Sequence, residues 1–132
     1  MQLNKLAGKK RSLVFGDSHL WGFGVDQNQI FSAPEVHGTN EEIVNFGVSG
    51  YGSDQEYLLY QLIGTKFIAD EVVVAFTPYN YVANNLAAKE YGYLKPYFRL
   101  ENGQPVLHND HIRDSGFRRV LMQWTIIAGS GT

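Results

Sequence analysis

Leu13-Val14-Phe15 is a short apolar run that stops abruptly at Gly16-Asp17-Ser18. Such a run reads as a buried strand, so the Ser18 hydroxyl falls in the first turn beyond a strand's carboxyl end, where open α/β sheets gather their chemistry. Gly16 permits a tight turn, and Gly22 and Gly24 keep the approach to the hydroxyl uncrowded. Ser18 is therefore a candidate nucleophile. A serine is inert at its free pKa and needs a base and oxyanion donors. Two further polar segments offer donors: Asn45-Phe46-Gly47-Val48-Ser49-Gly50-Tyr51-Gly52 and Thr77-Pro78-Tyr79-Asn80. The first can aim backbone N–H groups at a developing oxyanion, and the second adds the Asn80 amide. Plain structural roles compete at each position. Ser18 could cap the following turn, and Asn80 could be an ordinary loop residue. A strand-to-helix turn with positive φ accounts for Gly47 and Gly52, which leaves Gly50 as the glycine with a functional expectation. Asp17 reads as a turn-bracing acceptor rather than a catalytic acid.

These segments need a scaffold that brings them together. Ser12–Phe15 is expected as a first strand, with Lys9-Lys10-Arg11 as a solvated lead-in. A short helix is expected over Gln29–Val36, weakened by Pro34. Glu42–Gly47 follows as a second strand and Gly50–Gly52 as a turn. Ser53-Asp54-Gln55-Glu56 has capping-box spacing and opens a helix whose apolar face carries Leu58, Leu59, Leu62 and Ile63. Glu71–Phe76 is a third strand, apolar on both faces as a central parallel strand should be. A βαβαβ order of this kind predicts an α/β domain with a parallel sheet. Parallel strands share one carboxyl edge, so the three polar segments should converge there.

The character changes beyond residue 90. Tyr93–Leu100 and Gln104–Leu107 flank Glu101-Asn102-Gly103, a strong hairpin signal. Ser115 then caps a helix with apolar positions Phe117, Val120, Leu121, Trp124, Ile127 and Ala128, closed by Gly129. The aromatic series Tyr79, Tyr81, Tyr91, Tyr93, Tyr97 and Phe98 reads mainly as hairpin packing, with an apolar acyl pocket as the alternative.

Composition narrows the function. The chain has 132 residues, room for one core, which gives a lead-in over 1–11 and a domain over 12–132. A net charge of -2 carries no electrostatic footprint for nucleic acid. The absence of cysteine excludes a thiolate nucleophile, a disulfide framework and a cysteine zinc site. His108 and His111 lack a third partner for a metal, so neither a metal nor a cofactor is expected. No secretory signal or membrane-spanning run is present in the sequence, which predicts a cytoplasmic protein.

The Gly16-Asp17-Ser18 block, the Asn45-x-Gly47-Val48-Ser49-Gly50 block and an Asn after a hydrophobic strand together resemble the first three blocks of the GDSL-like, or SGNH, hydrolases. The resemblance covers roughly residues 11 to 107. It implies a three-layer α/β/α, flavodoxin-like fold of esterases, lipases, deacetylases and thioesterases, with the hairpin as an insertion. It implies Ser18 as nucleophile and oxyanion donor through its own N–H, Gly50 as a second N–H donor and Asn80 as a side-chain donor. Two departures stand out. The family's third block has Gly-x-Asn-Asp where this chain reads Thr77-Pro78-Tyr79-Asn80-Tyr81, which narrows the pocket and removes a bracing carboxylate. The family's base is the histidine of a late Asp-x-x-His motif, and His19, His37, His108 and His111 do not lie in one.

The resulting expectation is the N-terminal portion of a serine ester hydrolase, impaired in this short form, acting on a small acyl or acetyl ester. Two alternatives stand beside it. One is a module that binds a small anion at the glycine-rich loop and helix start of Gly50–Ser53. The other is an interaction fragment. If the strand order 2-1-3-4-5 of the flavodoxin-like fold applies, stopping after the third strand leaves an apolar edge through which the chain could form a homo-oligomer.

Overall fold

The computed structural model describes residues 4–34, 38, 40–78, 89–90, 93–109 and 112. The chain divides into two compact units, Met1–Leu86 and Ala87–Thr132.

The first unit is built on β1 (Lys10–Gly16), β2 (Glu41–Gly47) and β3 (Glu71–Ala75), which form one parallel sheet in the order β2-β1-β3. Parallel strands with helices between them make this an α/β unit, as the alternating pattern predicts. β1 is central, and its residues from Arg11 to Gly16 are all buried. Its unbroken apolar run suits a strand covered on both faces. Phe15 is 1% exposed. Its ring stacks on Phe46, its register partner on β2, at 4.7 Å and 6°. It also meets Tyr60 edge-on at 5.7 Å. Such aromatic pairs add about 0.5–1.5 kcal/mol each beyond the area they bury.

Four expectations change here. β3 lies beside β1 at the edge of the described sheet, in the order 2-1-3 expected of the flavodoxin-like arrangement and not at the centre that its apolar run alone suggests, and Val74 is 55% exposed. An apolar run says that a strand is β-prone, not which neighbours it has. Residues 29–33 form turns, with Ala33 N–H donating to the Ile30 carbonyl, and a helical residue first appears at Pro34. Proline suits a first helical position because its missing N–H is not needed there. The helix after β2, labelled α2 (Ser53–Leu62), turns a different face inward. Glu56 is buried and Tyr60 packs on Phe15, whereas Leu62 is 53% exposed. Finally, Arg11 is not part of a solvated lead-in. It is a buried residue of β1, and it ties together the amino edge of the sheet. Its Nε and Nη2 donate to the two Glu42 carboxylate oxygens at 2.9 and 2.8 Å, and Nη1 and Nη2 also donate to the carbonyls of Ile68 and Asn4.

The second unit contains a short pair, β4 (Lys89–Glu90) and β5 (Tyr93–Leu94), and the hairpin β6 (Tyr97–Glu101) and β7 (Gln104–His108). Asn102 and Gly103 both have positive φ, 52° and 77°, which is the paired left-handed turn that an Asn-Gly loop favours. The expected strand from Tyr93 to Leu100 is broken at Lys95-Pro96, because proline has no N–H for the ladder. Within the described residues no helix is long and apolar enough to cross a membrane. The expected terminal helix from Ser115 lies outside the described residues, as do Tyr79, Tyr81 and Tyr91 of the aromatic series.

Candidate active site

Parallel register places two of the three polar segments on a common footing. Gly16 pairs with Gly47 on one side and with Ala75 on the other, so the carboxyl ends of β2, β1 and β3 are level. The loop after β2 stays bound to this edge, since Val48 N–H donates to the Gly16 carbonyl at 3.0 Å. Ser18 lies two residues beyond this pairing level and Gly50 three residues beyond it. Asn80, expected five residues beyond Ala75, lies outside the described residues, as do His37 and His111.

Ser18 opens a single helical turn, α1 (Ser18–Trp21). Its cap is Asp17, not the serine. The Asp17 carboxylate accepts the His19 N–H at 2.9 Å and also contacts His19 Nδ1 at 3.2 Å. Asp17 is 5% exposed, whereas the His19 side chain is 65% exposed. The expected bracing role of Asp17 is thus the observed one, and the competing capping role of Ser18 is taken by its neighbour. Gly22 ends the turn in the left-handed region at φ 95°, where a Cβ would also collide with the Ile30 side chain.

The α1 turn is seated directly on the end of β2. A Cβ at Gly47 would collide with the Trp21 nitrogen and lie 2.8 Å from the Leu20 carbonyl carbon. Asn45 fastens the contact, donating through Nδ2 to the Leu20 carbonyl at 2.8 Å and to Ser32 Oγ at 3.1 Å. Its Oδ1 accepts the Gly47 N–H at 2.8 Å. Asn45→Ala removes all three bonds and leaves a part-buried carbonyl and N–H unpaired. It is expected to lower stability by about 1–3 kcal/mol in urea denaturation. A loss below about 0.5 kcal/mol would show that water replaces those bonds at no cost.

The glycine roles differ from expectation. Gly50 is the loop residue with positive φ, 77°, whereas Gly52 is extended at φ -104° and Gly47 is required by close packing. Gly50 is buried. Among the described residues, neither its N–H nor that of Ser18 finds a protein acceptor. Burial raises the pKa of the adjacent Tyr51 phenol, which keeps that ring neutral.

The start of α2 is displaced by one residue from the expected box. Gly52 is the N-cap, and Gln55 Oε1 accepts its N–H at 3.2 Å. One donor of an anion cradle is therefore already occupied by the protein itself. Glu56, expected to close the box, instead faces inward at 6% exposure. Burial, followed by the nearby Asp17 charge, pushes its carboxyl up to about 7. Residue type and spacing do not single out Glu56 as part of the site, and they place Asn45 in the glycine-rich block without revealing that it fastens α1 to β2. Glu56 does carry a signal, the Ser53, Glu56, Tyr57, Tyr60 stripe at helical spacing, which its assignment to the cap conceals.

His108 is remote in sequence and separately engaged in the second unit. Its Nε2 meets Glu101 Oε1 at 2.7 Å and its ring stacks on Tyr97. Among the described residues there is no cluster of three or more His, Asp or Glu side chains able to hold a metal ion.

Among solved structures, the chain is similar to AlinE4, described as an SGNH-hydrolase family esterase, and to a single-site mutant of that esterase. Each match has 23% identity and a TM-score of 0.41, over 61% of this chain and 51% of that chain. The chain thus spans about half the length of these structures. No protein-family model and no curated protein matches it. At a likeness this shallow, the functional reading rests on the geometry of the site itself.

Proposed function

We propose that the chain carries the nucleophile half of a serine ester hydrolase of the SGNH type, acting on a small acyl or acetyl ester. Ser18 Oγ attacks the acyl carbonyl, and the Ser18 and Gly50 amides stabilise the oxyanion, joined by the Asn80 side chain. The ester oxygen departs with a proton from the general base, leaving an acyl-Ser18 that water then hydrolyses. The observation that supports this most is the division of labour at α1. Asp17 takes the capping role, so Ser18 is at the sheet's carboxyl edge without being consumed by a cap. The general base is assigned to none of the four histidines. Without it, turnover by this chain is expected to be slower by orders of magnitude than for a complete triad. The three-layer α/β/α arrangement belongs to the same proposal.

The test separates nucleophile from turnover. At high concentration and long exposure, an alkyl fluorophosphonate is expected to label Ser18 slowly but ahead of the chain's other hydroxyls, by mass spectrometry, because the oxyanion donors remain while the base is missing, with that labelling lost in Ser18→Ala and hydrolysis of a short aryl ester barely above background. Labelling that comes first elsewhere, or equal labelling of Ser18→Ala, overturns the assignment. Phosphate or mononucleotides raising the melting temperature equally in both chains would favour an anion-binding module.

A further inference from the structure

Two aromatic side chains on the Ser18 turn have no part in the chemistry just proposed, yet the fold leaves both of them bare. In α1, Leu20 is buried and His19 is held by Asp17. Trp21 closes the turn, its N–H donating to the Asp17 carbonyl at 3.0 Å, and its side chain is left outside, the residue being 54% exposed. Residues three apart share one face of a helix, and helical side chains lean back toward its start, so Trp21 stands beside Ser18. The chain then reverses at Gly22. The Gly22 N–H is shared between the carbonyls of Ser18 and His19, at 3.2 and 3.3 Å, and the Phe23 N–H donates to the Ser18 carbonyl at 3.0 Å. In a helix ending of this kind, the residue after the left-handed glycine characteristically packs on the residue that accepts its N–H. That acceptor is Ser18, too small to cover a phenyl ring, and Phe23 stays 74% exposed.

Two rings therefore bracket the proposed nucleophile from its own turn. Their backbone is firmly seated, since α1 packs closely on Gly47 and Gly22 on Ile30. Among the described residues neither ring meets another ring, and the Trp21 indole N–H donates to no acceptor. Val25 and Phe31, on either side of the Gly22–Ile30 contact, are exposed as well. Clustered apolar exposure marks ligand-binding surface, whereas single scattered residues carry no such meaning. We propose that Trp21 and Phe23 are specificity-determining residues, gripping an apolar alkyl or aryl group of the ester while Ser18 attacks its carbonyl. Their part in catalysis rests on Ser18 being the nucleophile, but the apolar seat itself does not.

Two measurements test this. The first compares fluorophosphonates with the same reactive group, one bearing a decyl chain and the other an ethylene-glycol chain of similar length, both below micelle-forming concentrations. The decyl probe is expected to label Ser18 about tenfold faster in the wild type, the low end for selection by an apolar contact. In Trp21→Ala/Phe23→Ala that ratio should fall to about one. Trp21→Phe keeps a ring and should keep most of the preference. Equal rates for the two probes in the wild type, or an undiminished ratio in the double variant, overturn the proposal. A preference lost as fully in Trp21→Phe as in Trp21→Ala overturns the role of the ring. The second measurement follows tryptophan emission as N-benzylacetamide, an unreactive stand-in for an apolar ester, is added. A saturable blue shift is expected in the wild type and in Ser18→Ala, and none in Trp21→Phe. The absence of a saturable shift overturns the apolar seat. So does a blue shift that grows with protein concentration alone, which would show a second copy covering the rings. If neither probe labels Ser18 while the emission saturates, the nucleophile assignment fails and the apolar seat is upheld.

Discussion

Gly47→Ala is expected to be among the most damaging single-methyl additions to this chain. The new Cβ would collide with the Trp21 nitrogen and lie 2.8 Å from the Leu20 carbonyl carbon. Those are backbone atoms, so no side-chain rotation can relieve the clash. Either α1 lifts off the end of β2 or β2 shifts against β1. Both movements break the Asn45 bonds to Leu20 and Gly47 and displace the turn that holds Ser18. The expected cost is about 3 kcal/mol, the upper part of the range for overpacking, measured by urea denaturation. Phosphonate labelling of Ser18 should fall in the surviving folded fraction. Gly16→Ala is the internal comparison. Its Cβ would meet Leu20 Cβ at 3.0 Å and the Ala75 carbonyl oxygen at 3.1 Å, contacts that a shift of a few tenths of an ångström relieves, against the outright collision at Gly47. A cost of about 1 kcal/mol is expected there. Equal losses for the two variants would show that the close approach of α1 to Gly47 is not what demands glycine.

Arg11→Ala should be comparably severe at the opposite edge of the sheet. The guanidinium makes a two-pronged contact with Glu42, reaches the carbonyls of Ile68 and Asn4, and lies 5.8 Å over the Phe67 ring. Its backbone N–H also donates to Asp70, and its carbonyl accepts from Asp70 N–H. Arg11 therefore links β1, β2 and the segment leading into β3. Removing it strands the Glu42 carboxylate, which Arg11 holds below its ordinary pKa. The expected loss is about 3 kcal/mol, the lower end for breaking a buried pair, because Glu42 keeps some solvent. Arg11→Met combined with Glu42→Leu should recover most of it, since the pair's desolvation penalty disappears along with its attraction. A double variant no more stable than Arg11→Ala would mean that the hydrogen bonds to Ile68 and Asn4 matter more than the ion pair. The pH sign is opposite to that of Glu56, whose raised carboxyl loses stability as pH rises through about 7. A depressed carboxyl supplies stability above its unfolded pKa of about 4.5, and that stability is lost as pH falls.

The two carboxylates illustrate what residue type alone can and cannot convey. Both occur in strings that invite a surface role, Glu42 after Glu41 and Glu56 at the start of a helix. Hydrophobic periodicity identifies strands and helices because burial recurs with the period of the backbone, and it locates β1, β2, β3, α2 and β7 to within a residue or two, while β6 starts four residues later than expected. It ranks Leu62 as a core residue and Glu56 as a cap because it scores chemistry, not direction. The phase of α2 is set by packing against β1, where Tyr60 meets Phe15 edge-on and Glu56 lines the same cleft. Successive helical residues are about 100° apart, so a small rotation of the helix exchanges an inner face for an outer one.

By itself, the sequence determined a parallel α/β scaffold, a serine at the first strand's carboxyl end and a glycine loop at the second's. These follow from local patterns: an apolar run ended by Gly-Asp-Ser, a second run ended by glycines and a helical stripe between strands. Only the tertiary structure decided that Asp17 rather than Ser18 caps α1, that Gly47 is needed for close approach while Gly50 takes the left-handed turn, and that Glu56 in the first turn of α2 is buried. Each of those depends on distances between segments far apart in the chain, set when α1 and α2 pack against the sheet. Side-chain type proposes a chemical role, and the packing partner settles whether that role is already taken.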